Sequence, residues 1–109
     1  MKKSDLKTGM IVTTRMGERY VVLRDTLLEG VEKDILISLG IRIPGSWMPL
    51  SSYNEDMECF YDEDDNLFEY ENEYPFKDFD IVIVEQPLNA AAITANISSF
   101  RKTIWTRGA

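Results

Sequence analysis

Histidine is absent from this 109-residue chain, and cysteine occurs once, at Cys59. Without histidine there is no Ser-His or Cys-His nucleophile pair, and the commonest general acid–base group and metal ligand is missing. A zinc site would need an unusual, oxygen-dominated ligand set. A single cysteine closes no intrachain disulfide, which fits a reducing, cytoplasmic setting. No apolar run approaches the ~20 residues that a membrane-spanning helix needs. The opening MKKSDLKTG carries lysines without an apolar stretch behind them and does not read as a secretory signal.

What is abundant is acid, and it is unevenly spread. There are 19 Asp and Glu against 12 Lys and Arg, for a net charge of −7. Between Glu55 and Glu73 lie ten acids and no base, whereas the remainder has nine acids against twelve bases. Phosphate contacts need Lys and Arg, so this balance argues against direct nucleic-acid binding. The length suits a single domain, 1–109, with the acidic loop or insertion at about 55–75.

The stretch Lys7–Arg24, KTGMIVTTRMGERYVVLR, organises the chain. Two β-branched and aromatic runs, Met10–Thr14 and Tyr20–Leu23, flank a connection in which Gly17 can take the positive φ of a hairpin turn. Both faces of each run are apolar, which suits a sheet covered on both sides. Further strands are expected at Asp34–Leu39, Ser46–Leu50, Phe79–Gln86 and Lys102–Arg107, the last with Thr103 and Trp105 sharing one face. Leu27–Lys33 and Gly40–Gly45 read as loops, Ser51–Met57 as a helix start, and Leu88–Phe100 as a short helix. The expected fold is mainly β with minor helix: a small SH3-like barrel or a strongly curled antiparallel sheet.

The blocks KTGMIVTTRMGERYVVL, WMPLSSYNEDM, FDIVIVEQP and IWTR resemble a group of small uncharacterised proteins encoded in phages and prophage-like regions of Gram-positive bacteria. The resemblance implies a compact β-rich domain from a mobile element and brings no catalytic signature with it.

Several constellations have a functional and a plainer reading. Asp62, Asp64, Asn66 and Glu73 fall at positions 1, 3, 5 and 12 of a calcium loop, but Leu67 stands where that loop needs glycine, so a solvated acidic loop is preferred. The acids Glu55, Asp56, Asp62, Asp64 and Asp65 are candidates for contacting a partner, either directly or as a decoy of nucleic-acid phosphates. Trp47, Tyr53 and Trp105 could line an aromatic groove for a peptide, although tryptophans of this kind more often pack into a core. Asp78 and Asp80 share a strand face by periodicity and have no companion nucleophile. Acidic neighbours should raise the Cys59 thiol pKa rather than activate it. Arg101, Lys102 and Arg107 are too few for a nucleic-acid patch and could instead meet the acidic middle of a second copy.

The expectation is therefore a non-enzymatic protein-interaction module of phage or prophage type, with no cofactor, no metal and no catalytic residues. Its partner would be an unidentified protein, with self-association as a further option and neither nucleic acid nor membrane bound directly. The alternative is an acidic nucleic-acid mimic that blocks a host DNA-binding protein.

Overall fold

The first hairpin forms because its turn chemistry and its apolar alternation agree. A computed structural model describes residues 1–28, 30–40, 46–59, 76–88 and 101–108. Strand β1 (Ile11–Thr14) pairs with β2 (Arg19–Leu28), with Val12 opposite Tyr20 and Ile11 opposite Val21. Between them, Gly17 N–H donates to Thr14 O at 2.9 Å and Thr14 N–H to Glu18 O at 2.8 Å. Gly17 has φ +92°, the left-handed residue that such a three-residue connection requires.

Strands β3 (Val31–Ser38), β4 (Trp47–Pro49), β5 (Ile81–Pro87) and β6 (Arg101–Thr106) complete one antiparallel sheet in the order β4-β3-β2-β1-β5-β6. Paired residues share a face, as do alternate residues of a strand, so Val12, Val22, Leu36 and Val84 lie on one face of four adjacent strands, and all four are fully buried. Leu6, Leu50, Tyr53, Met57, Cys59 and Ile81 close over them as the main core. Each large side chain buried there contributes roughly 1.5–3 kcal/mol. Ile11, Val21 and Ile35 point to the opposite face and are also buried, which matches the two-sided apolar pattern of the strands.

The sheet is not a barrel. Among the described residues, its ends, β4 and β6, are each paired on one side only, so the SH3-like closure gives way to the curled open sheet. Strand β4 is three residues long and contains Pro49, which has no N–H with which to extend a ladder.

Three bulges shape this sheet. Arg24 and Asp25 of β2 together oppose Asp34, the β1–β5 register slips between Thr13 and Thr14, and the β5–β6 register slips between Val84 and Glu85. Bulges sharpen local twist and re-aim side chains. In β6 the slip sets Trp105 opposite Val84 and Thr103 opposite Glu85. Thr103 and Trp105 therefore lie on opposite faces, which overturns the alternation expected of that strand.

Two further expectations change. Leu27–Lys33 is the far end of the β2–β3 hairpin rather than a loop, with Leu27 paired to Glu32 and Gly30 at φ +79° in the turn. The segment after Ser51 is no helix: a 3-10 turn over Leu50–Ser52 leads into a tight reversal in which Tyr53 bridges Cys59. The Asn54 side-chain carbonyl holds this reversal by accepting the N–H groups of Asp56 and Glu58, each at 3.0 Å. A local side-chain bond of this kind competes with helix formation. The helix expected over Leu88–Phe100 and most of the Gly40–Gly45 loop lie outside the described residues. Among the described residues, no helix is long and apolar enough to cross a membrane.

Candidate functional site

Strand β4 is positioned by the alternation of antiparallel hydrogen bonds. Ser38 N–H donates to Ser46 O at 2.7 Å, which makes Ser38 and Ser46 a bonded pair and, two residues on, Leu36 and Met48 another. Trp47 and Pro49 then turn their backbone groups away from β3. The missing N–H of Pro49 costs the sheet nothing, while Trp47 offers both N–H and C=O at the open edge. The Trp47 ring shares a face with Ile37 and is 47% exposed. Lys33 sets its ammonium 5.6 Å from the ring centroid, a cation–π arrangement.

Beside this edge lies a pocket of about 440 Å³ walled by Lys3, Arg24, Lys33, Asp34, Pro49, Leu50 and Ser51. Its charged wall follows from the β2 bulge. Asp25 stands at φ +56°, and its N–H donates to Asp34 Oδ1 at 2.9 Å. The Arg24 guanidinium donates to Asp34 Oδ2 at 3.0 Å, to Leu6 O at 2.9 Å and to Lys3 O at 2.7 Å. The Asp25 N–H first, and then Arg24, hold the Asp34 carboxyl below its ordinary pKa. Lys3 donates to Tyr53 O at 2.8 Å, which ties the N-terminal segment to the reversal after β4.

The aromatic residues singled out in the sequence do not gather. Trp47 stands on edge strand β4, and Trp105 on β6 at the far edge, packed against the main core. Tyr53 is fully buried, and its hydroxyl donates to Phe79 O at 2.8 Å. Glu55 and Asp56 are exposed and tied to the N-terminal segment. Glu55 accepts from the Ser4 hydroxyl at 3.1 Å, and Asp56 from Lys2 at 2.5 Å. Asp62, Asp64 and Asp65, with the whole calcium-loop spacing, lie outside the described residues.

The polar groups near Cys59 are structural in their contacts. Asp80 is buried, accepts Cys59 N–H at 2.9 Å and has Arg15 at 3.7 Å. Burial, aided by Asp80, raises the Cys59 thiol to about 11. Of the basic C-terminal residues, Arg101 is buried against Glu85 at 3.3 Å. Arg107 spends its guanidinium on the carbonyls of Asp56, Met57 and Ile81 at 2.9–3.0 Å. Among the described residues, no group of three or more metal-ligating side chains gathers.

Sequence reasoning marked Trp47 but missed the pocket. Lys3, Arg24 and Lys33 are far apart in the chain and each reads as an ordinary surface charge. A bulge, a hairpin and an N-terminal segment bring them together. The class defined by these features is a small mainly β protein built on one open six-stranded antiparallel sheet. No family model, curated protein or solved structure matches the chain.

Proposed function

We propose that this chain is a non-enzymatic protein-interaction module of phage or prophage type that takes a protein partner along the β4 edge. The observation that carries this reading is Trp47, a large ring 47% exposed on a strand that ends the sheet. Aromatic anchors with open backbone groups beside them suit an extended segment that adds to a sheet edge. Because β4 is short, the ring supplies most of the grip and the outward-facing N–H and C=O of Trp47 set direction.

The test is affinity capture from a bacterial host lysate by the full chain, washed at low and then high salt. A partner held through high salt by the wild type and lost with Trp47→Ala supports the module. A partner released by high salt, indifferent to Trp47 and lost when Glu55, Asp56, Asp62, Asp64 and Asp65 are neutralised would replace it with the acidic mimic.

A further inference from the structure

We infer that the pocket walled by Lys3, Arg24 and Lys33 is a carboxylate subsite, taking an acidic side chain from an extended segment bound along β4. The inference rests on the docking reading above and names the chemistry of its partner.

Three cations and one carboxylate line the pocket. Asp34 is committed to Arg24 and to the Asp25 N–H. Among the described residues, no carboxylate lies within ion-pair distance of Lys3 or Lys33. In a chain of net charge −7, this is a local surplus of positive charge, and physiological salt screens more distant acids within ~8 Å.

Donors are free as well. A guanidinium carries five N–H groups, and Arg24 commits three, to Leu6 O, Asp34 and Lys3 O. Lys3 commits one of its three to Tyr53 O. Among the described residues, Lys33 has only the Trp47 ring beneath it. A carboxylate reaching these groups would form charge-assisted hydrogen bonds without displacing an internal partner.

Continuity with the edge selects an extended segment over a free ion. Pro49 belongs both to β4 and to the pocket wall. Strands rise about 3.3 Å per residue, so a partner residue two places from the one opposite Trp47 stands beside Pro49, at the pocket mouth. The volume of about 440 Å³ exceeds what a lone ion fills and accommodates an acidic side chain with adjoining backbone. A polyanion such as a nucleic acid would bring many charges against an acidic molecule, whereas one or two carboxylates would not.

The test is selection of displayed random octapeptides on the full chain, followed by titration of the best synthetic peptide. Enriched peptides are expected to carry Asp or Glu at a fixed offset from an apolar residue. Replacing that acid by its amide should weaken binding about tenfold, the loss of one charge-assisted contact. Lys33→Glu should weaken the acidic peptide and favour a version with lysine at that position. Enriched peptides without a fixed acid, still dependent on Trp47, would overturn the subsite and leave the edge reading standing.

If no peptide is enriched, the edge reading fails. The pocket is then decided by nuclear magnetic resonance titration with N-acetylglutamate. Saturable shifts at Lys3, Arg24, Lys33 and Ser51 uphold a carboxylate site, and their absence overturns it. Stronger effects at the same residues from inorganic phosphate or a single-stranded oligonucleotide would also overturn it.

Discussion

Asp80 accepts the backbone N–H of Cys59 at 2.9 Å from a buried position immediately before β5, joining the reversal after β4 to the centre of the sheet. The bond spans 21 residues and holds together two segments that the pairing ladder does not connect. Removing the acceptor strands a buried donor, which costs ~1–3 kcal/mol. Asp80→Ala is expected to lower the urea midpoint accordingly. Asp80→Asn, which keeps a carbonyl oxygen, should lose less. Equal loss for both would place the effect in the Arg15 ion pair instead.

The Cys59 thiol gives a pH signature. Its folded value is raised to about 11 from an ordinary 9.0. A raised folded pKa contributes stability that is complete below pH 9 and fades as pH climbs towards 11. At about 1.4 kcal/mol per unit, the amount is on the order of 3 kcal/mol. Cys59→Ser should flatten the decline in stability between pH 9 and 11, measured by urea unfolding. In the native wild type at pH 8, modification by a chromogenic disulfide should proceed only as fast as the protein opens.

Arg107 is expected to resist replacement even by lysine. Its fork serves carbonyls of Asp56, Met57 and Ile81, and its plane lies 5.4 Å from the Trp105 ring centroid. An ammonium has neither the planar fork nor the stacking surface. Arg107→Lys should cost about 1–2 kcal/mol and Arg107→Ala more. Trp105 emission should shift to longer wavelength on the native baseline, with Trp47→Phe as background.

The bulge at Arg24 and Asp25 predicts opposite signs for two changes at one position. Asp25 holds φ +56° with an exposed side chain. Asp25→Gly should be neutral or slightly stabilising, whereas Asp25→Val should cost ~1–2 kcal/mol, both read from thermal midpoints. Asp34 adds a pH dependence of the other sense. Its pKa is lowered from 3.8, so its contribution is complete above that value and is lost as pH falls through the lower, folded one. Asp34→Asn should reduce the acid sensitivity of unfolding.

The parts of the fold legible in the sequence are those where local and long-range signals agree. Gly17 between two β-branched runs gave the first hairpin, Ile81–Val84 gave a central strand, and Pro49 marked an edge. What failed did so at bulges and reversals. Leu27 is 72% exposed and follows the Arg24–Asp25 bulge, so the second half of β2 shows no apolar alternation. The slip in β6 moves Trp105 to the core face, away from Thr103. Tyr53 resembled a surface aromatic because nothing local reveals that Phe79 O waits for its hydroxyl. At the candidate site the same rule holds: one exposed ring on a strand could be read, but a pocket assembled from three distant cations could not.

The place of β1 in the sheet has a consequence for the order of assembly. It pairs on one side with β2, a neighbour in sequence, and on the other with β5, where Ile11 meets Glu85 across some seventy residues. Contacts that close long loops are entropically expensive and tend to form late. The β1–β2–β3 meander should therefore nucleate, with β5 and β6 docking onto its open flank near the rate-limiting step. Conservative truncations at Val22 or Leu36 would then slow refolding, whereas Val84→Ala would chiefly accelerate unfolding. Until that docking occurs, β1 itself is a bare edge, so refolding at high protein concentration should yield dimers that have exchanged β5 and β6.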